Sequence, residues 1–309
     1  MPLGPPAPAV TADLNLNLSM TPPPSLGLGL GLNRMVVGGG GFSFADSDAS
    51  TYAAALEGDG VSLSDDQKQA IDTFYTTGKS QGWYSSLARV YLPIWQQASA
   101  NSRCLVSGTQ GTFNGSIGHN AGYISNPSYS GFMDTGSTSA GKGLSLGAQG
   151  YGFLQVDISG SLGTPMGGYD DFNSFDNGNV VKQRIGGRMR FEYGEYGGSS
   201  YAQSGTQSVG TQRIWASLES GGDIALDDRT SSGFNNIAYS SSVVADGPSS
   251  YAKDYLMAVN QYYGSDNAAE YWGGEMGAAF FHTSSDSGFN SAFTLALKNL
   301  WEGCTGLSL

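Results

Sequence analysis

From Arg103 onward, short runs of apolar and aromatic residues are cut every few positions by Gly, Asn and Ser. That punctuation restricts the chain to short strands joined by tight turns. The strand candidates are Cys104–Val106, Tyr123–Ile124, Gly131–Asp134, Tyr151–Ile158, Lys182–Tyr193, Thr211–Leu218, Ile237–Val244, Tyr255–Tyr263 and Glu275–His282. About nine to eleven strands at this spacing predict a two-sheet sandwich. The content of 47 Gly, 17 Tyr and 14 Phe, with only 13% charged residues, argues the same way, since helix bundles need far more Lys and Glu.

Helices are expected only at the two ends of this body. Asp46-Ser47-Asp48 opens a short one that Gly58 and Gly60 stop. Ser64-Asp65-Asp66-Gln67 reads as a capping box, with Ile71, Phe74 and Tyr75 on the buried face behind it. The helical segment is expected over 46–90, packed on the β-structure rather than standing apart. A second helix is expected over 287–302, introduced by Asp286 to Gly288 and presenting Phe293, Leu297, Leu300 and Trp301. Cys304 to Leu309 would add an edge strand.

The first forty-one residues have a different character. They hold seven of the chain's 11 prolines, and two runs alternate strictly. Leu14, Leu16 and Leu18 are separated by Asn, and Leu26, Leu28, Leu30 and Leu32 by Gly. Period-two alternation places each run of leucines on one face of an extended chain. Alone, such a segment buries too little apolar surface to offset the backbone ordering cost of about 1–2 kcal/mol per residue. Residues 1–41 therefore read as an arm that takes its shape from other subunits; the competing reading is a disordered tail.

Net charge is −12, with 14 Lys and Arg against 26 Asp and Glu. A phosphate-backbone partner is excluded on that balance, because nucleic-acid affinity rests on basic side chains displacing counterions. The amino terminus lacks a basic stretch followed by an apolar core, so no secretory leader is expected, and no apolar run is long enough for membrane insertion. Cys104 and Cys304 do not make a disulfide framework and are expected as buried thiols, with a bridge between them left open.

Little chemistry shows. Retaining glycoside hydrolysis needs two carboxyls about 5–5.5 Å apart. Glu192 and Glu195, and Glu270 and Glu275, are separated by odd intervals that point them to opposite faces of a strand. His119 and His282 have no nucleophile or zinc-ligand pattern around them. Catalytic residues are therefore expected to be none, and a metal is not called for. Calcium is the one cofactor weighed, because Tyr169 to Gly178 packs hard oxygen donors; Phe175 in the fifth position and the missing terminal Glu depart from the helical calcium loop. The same region places aromatic rings beside acids and amides, the composition of a sugar platform. Tyr169, Asp170, Asp171, Phe172, Asn173, Tyr193 and Tyr196 are the glycan-binding candidates. Arg184, Arg188 and Arg190 alternate on one strand face, to pair with a neighbouring subunit or to be solvated.

Several stretches resemble a known group. Phe44-Ala45-Asp46-Ser47-Asp48, Tyr75 to Lys79 with Gly82-Trp83-Tyr84, and Val90-Tyr91-Leu92-Pro93-Ile94-Trp95 resemble tailed-phage virion proteins. Those carry a concanavalin A-like (laminin-G-like) jelly roll behind a short Gly/Leu-rich amino-terminal segment. Gly118 to Ile124 and Gly131 to Gly136 look like the first strand pair of that sandwich, and Met276 to Phe280 with Leu307-Ser308-Leu309 fit its close. The resemblance covers 42–309. It implies a mainly β, concanavalin A-like jelly-roll sandwich with a few short helices and an extended arm. It also implies a non-enzymatic structural protein of a virion, synthesised in a host cytoplasm. The leucines of the arm would contact capsid or tail subunits, and the body, as a homo-oligomer such as a trimer, would serve decoration or attachment to host-surface glycan. A free carbohydrate-binding lectin and a polysaccharide depolymerase are the rivals.

Overall fold

The computed structural model describes residues 41–158, 163–170, 177–184, 188–194, 200–206, 211–241 and 247–309. The arm leucines, Leu14 to Leu32, lie outside the described residues, as do Asp171, Phe172, Asn173 and Tyr196 and most of the candidate calcium loop.

Among the described residues the α-helices are α1 Ser47–Gly58, α2 Asp65–Gln81, the single turn α3 Ala98–Asn101, and α4 Phe289–Thr305. The first strands are β1 Leu87–Tyr91, β2 Thr112–Asn114, β3 Gly118–Asn120, β4 Tyr123–Ser125, β5 Phe132–Thr138 and β6 Gly150–Asp157. Next come β7 Gly163–Asp170, β8 Asn177–Arg184, β9 Arg188–Tyr193, β10 Tyr201–Gln203, β11 Arg213–Ser220 and β12 Asp223–Thr230. The last are β13 Gly233–Ser240, β14 Lys253–Leu256, β15 Val259–Tyr262, β16 Ala268–Ala269 and β17 Glu275–His282.

These strands make two sheets, and the chain is the mainly β sandwich its turn spacing predicts. Sheet I runs β13-β12-β11-β6-β17-β4-β3, with β1 also on β17. Sheet II runs β10-β9-β8-β7-β14-β5-β2, with the β15–β16 hairpin beside β7. Among the described strands all pairings are antiparallel except β15 on β7. The sheets close on one apolar core. Tyr151, Phe153, Trp215 and Phe281 from sheet I meet Met133, Met166, Val181 and Phe191 from sheet II, all fully buried.

Sheet I is covered on its other face too. Leu154, Ile214, Ala278 and Phe280, the alternate residues of the same strands, pack against α1, α2 and α4 in a second core. Phe280 lies 4.8 Å from Phe293, which in turn meets Phe74 and Trp83. Strict alternation thus sorts β6, β11 and β17 between two apolar layers. Trp301 is fully buried in this layer, and its indole N–H donates to Gly122 O at 2.9 Å.

The capping box forms as predicted. Ser64 Oγ accepts from the Gln67 amide at 3.2 Å, and Gln67 Oε1 accepts from the Ser64 amide at 2.9 Å. Helix α2 continues past Gly78 because that residue has no side chain: a Cβ there would lie 2.6 Å from the Trp83 ring. It ends at Gly82, whose φ of 82° is open to glycine at little cost.

Several expectations are corrected. The helical segment does not reach residue 90, since Leu87–Tyr91 pairs with β17 as a strand. Lys182–Tyr193 is not one strand but parts of β8 and β9, folded back on each other. Cys104–Val106 makes only an isolated bridge to Tyr91, and Cys304 falls in α4 with no edge strand after it. Asp286 does not cap α4 by a side-chain bond to the helix. Its carboxylate accepts from the Gly288 amide at 2.9 Å, in an Asx turn before the first helical residue. Cys104 and Cys304 are both buried and unbridged, and burial raises the Cys304 thiol pKa far above its ordinary value.

Candidate functional site

With the outer face of sheet I under helices, the outer face of sheet II is where side chains from several strands converge on open space. The register fixes which ones. In β8 and β9 the cross-strand partners are Val180 with Glu192, Lys182 with Arg190, and Arg184 with Arg188. In β10, Tyr201 stands opposite Glu192 and Gln203 opposite Arg190. Directly opposed residues share a face, so these side chains form a polar carpet across three strands. The intervening Val181, Met189 and Phe191 fill the core.

A cleft of about 610 Å³ opens on this carpet, lined by Gly163, Lys182, Gln183, Arg184, Arg188, Gln203 and Glu270. Beside it, Lys182 belongs to a buried charge cluster. Glu192 forms ion pairs with Lys182 at 3.1 Å and with Arg190 at 2.7 Å. The Arg190 guanidinium lies 3.6 Å above the Tyr201 ring centroid. Burial pulls the Lys182 ammonium pKa below its ordinary value, with Glu192 opposing that effect. Gln183 turns inward, and its carbonyl accepts from the Trp272 indole.

The opposite wall comes from the β15–β16 hairpin. Glu270 follows β16 with a φ of 44°, a left-handed conformation costly for a residue with a side chain. It is held there twice by Thr164, whose amide donates to the Glu270 carbonyl at 2.8 Å and whose hydroxyl donates to Oε2 at 3.1 Å. Gly163 lets this wall approach, because a Cβ at that position would stand 2.4 Å from Tyr271 O. Next along the chain, Tyr271 joins an aromatic group in which Phe132 stacks on Tyr255 at 4.4 Å and lies 6.4 Å from Tyr271. Phe132, Tyr201 and Tyr271 are half-buried, leaving part of each ring accessible.

Of the candidates named from the sequence, Tyr169, Asp170 and Tyr193 are among the described residues, and these three are not brought together. Tyr169 lies on the outer face but is covered, packed with Val180 and Val259. Asp170 is buried at the end of β7, in register with Asn177 and Tyr262. Tyr193 points the other way, into the core, where it is fully buried against Tyr151 and bonded to Ser217 Oγ at 2.6 Å. Tyr193 is a core ring and not a platform. What sequence reading missed is the grouping of Lys182, Gln203 and Glu270 around one cleft. The Gly186-Gly187 pair between Arg184 and Arg188 was the available signal, since Gly-Gly between two strand-forming runs reads as a hairpin.

Elsewhere, His119 Nδ1 pairs with the Asn101 amide nitrogen at 3.0 Å and edges onto Phe113. His282 is wholly buried and bonded to backbone. Among the described residues no cluster of three or more His, Cys, Asp or Glu is placed to hold a metal ion.

No protein-family model matches the chain, and no curated protein matches it in sequence. Similar solved structures include domain 4 of AbnA, a GH43 extracellular arabinanase from Geobacillus stearothermophilus, in complex with arabinotriose. It is 11% identical at a TM-score of 0.43, over 68% of this chain and 98% of that one. The CBM40 of the Ruminococcus gnavus IT-sialidase, bound to α2,3-sialyllactose, is 11% identical at 0.37, over 48% and 81%. A Trypanosoma rangeli sialidase mutant displaying trans-sialidase activity is 8% identical at 0.48, and the match spans 75% of this chain but 39% of that protein. No residue role is carried over from them.

Proposed function

We propose that the protein is a non-enzymatic glycan-binding β-sandwich displayed on a tailed-phage particle, with residues 1–41 as its anchoring arm. The observation that carries the binding half is the cleft on the outer face of sheet II. Its volume of about 610 Å³ suits one or two sugar rings. Gln203 and Glu270 supply an amide and a carboxylate for hydroxyls, and the half-buried Tyr271, next to Glu270 in the chain, is the ring available for sugar C–H groups. Of the carboxylates on this face, Glu192 is engaged by Lys182 and Arg190, and Glu270 by Thr164. The particle half rests on the virion resemblance and on the leucine alternation of the arm. Its partners are capsid or tail subunits and further copies of this chain.

The test is an array of bacterial surface polysaccharides probed with the full chain. Retention of a subset, with no release of reducing ends, is expected. Silence across the array removes the binding half, and released reducing ends would make the protein a depolymerase. Deleting residues 1–41 from the phage-borne copy should abolish incorporation into particles; normal incorporation removes the anchoring half.

A further inference from the structure

The chain is poor in cations, with 14 Lys and Arg in 309 residues, yet four of them, Lys182, Arg184, Arg188 and Arg190, stand together on two adjacent strands of one sheet face. Two are accounted for: Lys182 and Arg190 share Glu192 between them. Arg184 and Arg188 are not. They are exposed, directly opposite each other in register, and among the described residues neither has an ion-pair partner. Like charges directly opposed across an antiparallel pair are destabilising, and a sequence with 26 acidic residues had ample means to relieve them. Both arginines line the cleft.

Resting on the reading of that cleft as a glycan site, we propose that its ligand is an acidic sugar. The ring carboxylate is held by Arg184 and Arg188, and the neighbouring hydroxyls by Gln203 and Glu270. A guanidinium presents a planar pair of donors that matches a carboxylate, and two of them facing one anion relieve their own repulsion on binding. Glu270, pinned by Thr164 on the opposite wall, repels a second negative charge. The site therefore discriminates a sugar with one acid group and free hydroxyls from a densely charged polymer such as a sulfated glycan or nucleic acid.

The experiment measures binding of the full chain to polygalacturonate, polyglucuronate and polysialate, each beside its carboxyl-reduced neutral counterpart. Dextran sulfate and single-stranded DNA serve as charge controls. At least one acidic polymer should bind about tenfold or more tightly than its reduced form, as expected when charge-assisted hydrogen bonds are removed. Arg184→Gln with Arg188→Gln, two exposed positions whose replacement leaves the core untouched, should abolish that preference. Glu270→Ala should weaken acidic and reduced forms alike. Equal binding of acidic and reduced polymers, unchanged by the double variant, overturns the acidic preference while leaving the glycan site standing. Silence toward every polymer, acidic and reduced, removes the site itself. Binding to dextran sulfate or DNA as tight as to the uronates would show unspecific attraction and also overturn the proposal.

Discussion

Acidification should destabilise this protein through one side chain, and the size of the effect follows from where His282 sits. The ring is fully buried, 4.2 Å from Phe289, with its Nε2–H donating to Ser217 O at 3.1 Å and its Nδ1 accepting from the Ser284 amide at 3.3 Å. That is the neutral tautomer with both nitrogens used. Burial dominates and lowers the pKa from 6.5 to about 3, while contacts to Ser217 and Asn290 oppose it weakly. Above pH 6.5 the imidazole is neutral folded or unfolded, and its contribution is complete. As the pH falls toward 3 the unfolded chain takes up a proton that the folded chain refuses, so stability is lost over that window. Between pH 7 and pH 5 the loss from this one group is about 2 kcal/mol. Urea titrations at both pH values, followed by tryptophan fluorescence, should be run on the wild type and on His282→Asn. The variant is less stable at either pH, but its loss on acidification should be smaller by about 2 kcal/mol. The subtraction cancels other titrating groups, including Asp227, whose carboxyl burial raises and whose contribution runs the opposite way. If the two proteins lose the same stability between pH 7 and pH 5 to within about 0.5 kcal/mol, the imidazole is not held neutral by burial and the reasoning fails.

Two further outcomes concern the buried framework. Lys142 and Asp254 form an ion pair at 2.8 Å with side-chain exposures of 0% and 1%, and Ser139 also donates to the carboxylate. Lys142→Met strands that charge and should cost about 3–5 kcal/mol by denaturant titration; a cost below about 1 would mean the carboxyl is readily protonated in place. Trp301→Ala should cost about 3–5 kcal/mol through the cavity left between α4 and sheet I. Trp301→Phe, which mainly leaves Gly122 O without its donor, should cost about 1–3; equal losses for the two would show the hydrogen bond, not packing, to be dominant.

Local signals were legible where local chemistry decides the outcome. Ser64 and Gln67 form their reciprocal cap because every atom involved lies within four residues. Glu275–His282 was found as a strand because its ends coincide with a change of composition. What sequence could not supply was register, which depends on a partner far along the chain. Tyr169 and Tyr193 share a composition cue, yet the pairing Tyr169 with Gly178 and Asn179 with Tyr193 puts one on the outer face and the other in the core. A period of two says that neighbours differ in face without saying which face is inside. The arginine alternation was visible, but its partners were not. Glu270 lies 82 positions beyond Arg188 in number and reaches the same cleft only because β16 and Thr164 bring it there.

The helical layer over sheet I has a consequence for how such a protein can diversify. Along β6, β11 and β17 successive side chains are committed to one apolar layer or the other, so changes there threaten the fold. Along β8 and β9 the exposed Arg184 and Arg188 can be exchanged while Val181, Met189 and Phe191 stay as they are. Ligand preference and foldedness are thereby written in interleaved letters of the same two strands. The first set can be rewritten without respelling the second.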